Sequence, residues 1–119
     1  MTLYIDSGEG RRIADSLRSL ANHVYGIARS KGFHDEPVPM AVSVANLHGE
    51  VSELWEAYRR GMLDKPCDKK TAEPLTCMEE ELADIIIRAL DTAEENGVDI
   101  GRAVLIKSAY NETRSHRNG

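Results

Sequence analysis

Residues 47–61 read LHGEVSELWEAYRRG, and their spacing decides the fold. Leu47, Val51, Leu54, Trp55 and Tyr58 recur at intervals of three and four, so at about 100° per residue they form one apolar stripe of a helix. Glu50 and Glu53 fall together on one flank of that stripe, with Asn46 beside them. The arrangement returns thirty-one residues later in ELADIIIRA, residues 81–89. There the stripe is Met78, Leu82, Ile85, Ile86, Ala89 and Ala93, and Glu81 and Asp84 occupy the corresponding flank with the same hand.

The shared hand has a geometric consequence. Consecutive helices of a bundle pack antiparallel, and two antiparallel helices that bury their stripes against each other are related by a dyad perpendicular to both axes. Matching flanks then meet on one side, so Glu50, Glu53, Glu81 and Asp84 are expected to converge. Like unit charges about 4 Å apart repel by roughly 4 kcal/mol at the effective dielectric of a protein surface, so a cation belongs among them. Hard oxygen donors without His or Cys suit Mg²⁺, with Mn²⁺ as a substitute. A plainer account exists for any single pair: glutamates are common on solvated faces, and Glu79, Glu80 and Glu81 sit in a first turn where the macrodipole favours acids. Asp84 lies beyond that turn, and the repeat with matched hand weighs against the plainer account.

The rest of the chain supports an all-α, antiparallel four-helix bundle-like core. The first three helical segments each run into a glycine, at Lys31-Gly32, Arg60-Gly61 and Asn96-Gly97, where a left-handed C-cap belongs. Helix one starts after Asp6 or Ser7, with Ile13, Leu17, Leu20, Ala21, Val24 and Ala28 at helical spacing. The second follows Pro37 and Pro39 and runs to about Arg60. Thr76-x-x-Glu79 is a capping box for the third, and Asp99 caps the fourth. Residues 61–75, GMLDKPCDKKTAEPL, form a long connection holding an irregular turn or short helix. Strand-like alternation is absent from the pattern.

Composition bounds the function. A chain of 119 residues, 41% apolar and 29% charged, fits one domain spanning 1–119, with enough core for a monomer, although a dimer would help. A net charge of −5 and a pI near 5.3 argue against binding duplex nucleic acid, which needs a basic face. Cys67 and Cys77 have neither zinc-ribbon nor CxxC spacing and read as reduced thiols. No run approaches the roughly 20 apolar residues of a membrane span, and MTLYIDSGEG lacks the regions of a signal peptide; a soluble cytoplasmic protein is expected.

Glu50-x-x-Glu53 followed by Glu81-x-x-Asp84 resembles the metal-binding signature of the MazG-like all-α nucleoside triphosphate pyrophosphohydrolases, a superfamily that also includes dimeric dUTPases and phosphoribosyl-ATP pyrophosphatase. In the last helix IKSAYNETR resembles the Lys, Asn and Arg pattern with which the family meets phosphates. The resemblance covers roughly residues 40–117. It departs from the family at Gly49, where a second glutamate is common. What the resemblance implies is hydrolysis of a nucleoside triphosphate, a dNTP or non-standard NTP, to the monophosphate and pyrophosphate. Mg²⁺ would be held by Glu50, Glu53, Glu81 and Asp84, with Glu53 orienting the attacking water. Lys107, Asn111 and Arg114 share a helix face at i, i+4 and i+7 with Tyr110 beside them, and would bind the substrate; the plainer role of that face is to complement the helix dipole. His116 and Arg117 are weaker candidates. A homodimer, alone or as a dimer of dimers, is expected from the family and the small size.

Base recognition is the least legible part. Trp55, Tyr25, Phe33, His23 and His48 offer stacking or hydrogen bonds, yet an aromatic on an apolar stripe is more often core, and Trp55 is read that way. His34-Asp35 resembles the dyad of HD-type phosphohydrolases but sits in a loop without a second histidine pattern. A ferritin-like di-iron bundle would need Glu-x-x-His on two helices, and that tetrapeptide is absent from the sequence. The remaining rivals are phosphoribosyl-ATP pyrophosphatase activity and a non-catalytic helical interaction module.

Overall fold

The computed structural model describes residues 2–114, and within them the chain is all-helical: α1 Gly8–Ser30, α2 Met40–Arg59, α3 Cys77–Glu95 and α4 Ile100–Thr113. Local chemistry sets each boundary. The Ser7 side chain accepts a hydrogen bond from the Gly10 amide at the start of α1, and Asp99 accepts from Arg102 at the start of α4. The α3 capping box is complete, Thr76 accepting from the Glu79 amide while Glu79 accepts from the Thr76 amide. Gly32, Gly61 and Gly97 follow the first three helices at φ 84°, 68° and 67°, a left-handed conformation that a side chain would strain.

The third helix is the centre of the assembly. It packs on α2 on one side and on α1 on the other, α1 also packs on α4, and α2 touches no helix except α3. A small core of Ala21, Val24 and Leu90, with Ile100 against it, joins α1, α3 and α4. At one point α1 and α4 approach with their backbones almost touching, because a Cβ added to Gly101 would lie 2.3 Å from the Ala14 carbonyl oxygen. A bidentate pair seals the same junction, Arg18 donating to both carboxylate oxygens of Asp99 at 2.8 and 2.9 Å. Asp99 thereby serves as cap and ion-pair partner at once, which holds its carboxyl below the usual carboxylate range.

The seam between α2 and α3 differs from the one expected. The residues of α2 shielded along one line are Ser43, Leu47, Glu50, Leu54 and Ala57, a four-three-four-three spacing of coiled-coil type. Val51, Trp55 and Tyr58 lie one step further round and are 49%, 60% and 59% exposed. On α3, Met78, Leu82 and Ile86 are likewise exposed. Each helix therefore carries two adjacent apolar lines, and the single chain covers only the line nearer the acids. Trp55 is a surface residue here, contrary to its reading as core.

The uncovered line shows in the dimensions of the molecule. A compact chain of 13.2 kDa is expected to expose about 6400 Å² with a radius of gyration near 13.5 Å, whereas this one exposes 8709 Å² and has a radius of 16.4 Å. The buried apolar residues among those described are Ala14, Ala21, Val24, Leu90, Ala93 and Leu105, and no large side chain is fully removed from solvent.

The 61–75 connection contains turns rather than a short helix, closed by one antiparallel bridge between Pro66 and Thr76. The Cys67 backbone amide donates to the Leu75 carbonyl and the Cys77 amide to the Lys65 carbonyl, both at 2.9 Å, so the connection folds back onto the start of α3. No helix of the described residues is long and apolar enough to cross a membrane.

Candidate functional site

Because the α2/α3 seam runs through the acidic flank, the carboxylates meet inside it. Glu50, Glu53 and Glu81 each offer an oxygen within 4.8 Å of the others. Glu81 is 9% exposed, and its Oε2 is buried with no hydrogen-bond partner. Burial, and after it the charges of Glu53 and Asp84, raise the Glu81 carboxyl above its ordinary pKa. Asp84, one turn further along α3, is raised by burial and then by Glu50, with Lys69 opposing the shift. Asp84 thus joins the same electrostatic cluster, although it stands outside the tight group of three oxygens.

Two cations moderate this charge. Arg88 of α3 donates to Glu50 Oε1 at 3.0 Å, and Lys69 approaches Glu80 Oε1 to 3.5 Å. Arg88 lies four residues after Asp84 and seven after Glu81, so helical spacing alone puts it on the acid-bearing face. Lys69 carries no such signal, because it reaches the acids only through the irregular fold of the connection. A cavity of about 490 Å³ opens beside Glu53 and Glu81, lined further by Arg60, Cys67, Asp68, Lys69 and Cys77. Its volume is in the range of small-molecule sites. Cys67 is held as a neutral thiol, pushed up to about 12 chiefly by the Glu80 carboxylate, then by burial and the Cys77 thiol; Glu80 Oε2 nonetheless accepts no well-formed hydrogen bond.

The basic face of α4 is not part of this cluster. Lys107 and Asn111 line a separate shallow cavity with Ala103, Val104 and Ser108, and α4 makes no packing contact with α2. Tyr110 organises the face, with the Lys107 ammonium 4.5 Å and the Arg114 guanidinium 5.7 Å from its ring centre. Four residues expected to meet the substrate, Lys107, Tyr110, Asn111 and Arg114, are therefore gathered with one another but not with the acids of the same chain. His116 and Arg117 lie outside the described residues.

The loop histidine has a different partner from Asp35. His34 Nε2 is 2.8 Å from Asp91 Oδ1, and its Nδ1 is 3.1 Å from Glu95 Oε2, near enough for an ion pair but poorly aligned for a hydrogen bond. Tyr25 packs on the ring at 4.8 Å. The imidazole is thus a clasp that fastens the α1–α2 connection to α3, and the HD-like reading is set aside. Of the other aromatic and histidine candidates, His23, His48 and Phe33 are exposed. Phe33 also edges a cavity of about 350 Å³ that contains Asn46, Arg88 and Asp91.

No family model, curated protein or solved structure matches the chain.

Proposed function

We propose that the chain is a Mg²⁺-dependent nucleoside triphosphate pyrophosphohydrolase of the MazG-like type, releasing pyrophosphate and a nucleoside monophosphate. The observation that carries this reading is the group of three carboxylates within 4.8 Å, one of them with a buried oxygen that no protein group satisfies. A buried, unpartnered carboxylate oxygen is unfavourable unless a cation takes it. The donors are all carboxylate oxygens, which fits Mg²⁺ and, after it, Mn²⁺. When bound, such an ion neutralises phosphate charge and lowers the pKa of a coordinated water.

The protein's own groups divide the remaining work. Glu50, Glu53 and Glu81 would hold the cation with Asp84 one turn along α3, and Arg88 donates to Glu50 at the edge of the group. Glu53 is the more exposed of the three clustered acids and stands at the cavity wall, so it orients the attacking water and accepts its proton. Lys69 and Arg60 line the same cavity and meet the polyphosphate as point charge and guanidinium fork. On the other side of the seam, Phe33 and Asn46 offer a ring face and an amide to the nucleoside.

A homodimer completes the scheme. The uncovered line of Val51, Trp55, Tyr58, Met78, Leu82 and Ile86 is a face for a second copy, and the excess of roughly 2300 Å² over a compact monomer is of the size that obligate interfaces bury. Association across this face is also the route by which Lys107, Asn111 and Arg114 of one copy reach substrate held by the acids of the other. The test is pyrophosphate release from a panel of canonical and non-standard NTPs and dNTPs, with phosphoribosyl-ATP as the rival substrate, in Mg²⁺ and in chelator. Metal-dependent release that Glu81→Gln and Glu53→Gln abolish supports the assignment; equal release from the variants, or none from any nucleotide, overturns it.

A further inference from the structure

The turn of chain that closes the cavity gathers a second set of donors, chemically unlike the first. The Pro66–Thr76 bridge brings Cys67 and Cys77 to the mouth of α3, and both sulfurs are free thiols. The Cys67 sulfur, an Asp68 oxygen and a Glu80 oxygen lie within 4.8 Å of one another. Glu80 is 7% exposed, and its Oε2 is buried without a hydrogen-bond partner. Lys69 reaches only the other oxygen, at 3.5 Å, and its own side chain is largely in solvent.

We propose that Cys67, Asp68 and Glu80 form a second cation site, one for Zn²⁺, with the neighbouring Cys77 sulfur as fourth ligand. Tetrahedral sulfur and oxygen ligands at about 2.3 and 2.0 Å from zinc lie roughly 3.5 Å apart, so the group needs to close by about an ångström. Asp68 is exposed and free to rotate inward. A sulfur donor selects a thiophilic ion over Mg²⁺, and this separates the site from the all-oxygen cluster one residue along the helix. Glu80 and Glu81 project about 100° apart, so each serves its own site. Zn²⁺ and Lys69 offset three of the four negative charges of the two carboxylates and the Cys67 and Cys77 thiolates, whose two protons pass to solvent on binding. The bound ion would fasten the 61–76 connection to α3, fixing Lys69 beside the acids.

Cobalt titration of the reduced, metal-free full chain tests the site independently of any nucleotide hydrolysis. The expected result is one Co²⁺ per chain that carries sulfur-to-cobalt charge-transfer absorption and is displaced by Zn²⁺ but not by excess Mg²⁺, while Co²⁺ at the acid cluster lacks that absorption and gives way to Mg²⁺. The absorption should fall sharply in Cys67→Ser, vanish in the Cys67→Ser/Cys77→Ser double variant, and persist in Glu53→Gln, which damages only the acid cluster. If Cys67→Ser does not fold, Glu80→Gln and Asp68→Asn must each weaken Co²⁺ binding by about tenfold or more, at least as much as the loss of an outer partner of a ligand. Absence of charge-transfer absorption in the reduced wild type, its undiminished survival in Cys67→Ser or any survival in the double variant, or unchanged affinity in both carboxamide variants overturns the proposal. So does binding that fails in Glu53→Gln alone, since the ion would then belong to the acid cluster.

Discussion

Replacing Trp55 by alanine tests whether the uncovered face is an interface between two copies. Trp55 is 60% exposed in the single chain, which for a side chain of about 250 Å² leaves about 150 Å² to be covered by a partner. At about 25 cal/mol per Å² that area is worth about 3.8 kcal/mol. Twofold symmetry puts two such rings in one interface. Counting only one of them, to allow for area that does not convert into affinity, the dimer dissociation constant should rise by about two to three orders of magnitude. Sedimentation velocity over a concentration series measures this directly. Wild type should sediment as a dimer at micromolar concentration and Trp55→Ala as a monomer with its helix content intact. A monomeric wild type, or a variant with unchanged dissociation constant, would refute the argument that the outer apolar line is an interface.

Three further outcomes follow from individual residues. Glu81 and Asp84 are raised above ordinary carboxylate pKa values by burial and by neighbouring acids, so in the window between the ordinary and raised values the folded chain binds more protons than the unfolded one, and their contribution to stability falls as pH rises through it. Metal-free Glu81→Gln should therefore melt above wild type at neutral pH, and the gap should shrink on acidification through the carboxylate range; a gap independent of pH would contradict the clustered charge. Thr76→Ala removes half of the α3 capping box and should lower stability by about 1 kcal/mol, about 4 °C in Tm for this length, measured by thermal circular dichroism. Gly101→Ala sets a methyl 2.3 Å from the Ala14 carbonyl oxygen and should destabilise by about 1–3 kcal/mol or more as α1 and α4 separate, seen in a denaturant midpoint; a neutral effect would mean the helices do not cross so closely.

The parts of this molecule that were legible in sequence are those governed by short-range chemistry. The glycines at 32, 61 and 97, the serine, threonine and aspartate caps, and the helical spacing of the acids depend on neighbours within four residues. From that spacing alone, Glu50, Glu53, Glu81 and Asp84 were expected together; the first three meet within 4.8 Å, and Asp84 stands outside that group. What the spacing did not reveal is which of two adjacent apolar lines the chain covers. Val51 and Trp55 satisfy the same periodicity as Leu47 and Leu54, and only the presence or absence of a packing neighbour distinguishes them. Lys69 and the Cys67–Cys77 pair were hidden for another reason: an aperiodic connection brings them to the acids, and no spacing rule extends through it. The basic face of α4 was recognisable as a face, but its distance from α2 is a property of tertiary packing.

Manganese binding measured by electron paramagnetic resonance addresses the central claim most directly. The wild-type chain should take up Mn²⁺, compete it off with Mg²⁺, and bind it more tightly with a non-hydrolysable nucleoside triphosphate, while Glu81→Gln and Glu50→Gln lose the ion in both conditions. Mn²⁺ uptake of equal strength in wild type and in both variants would contradict the claim that these carboxylates are gathered around a cation.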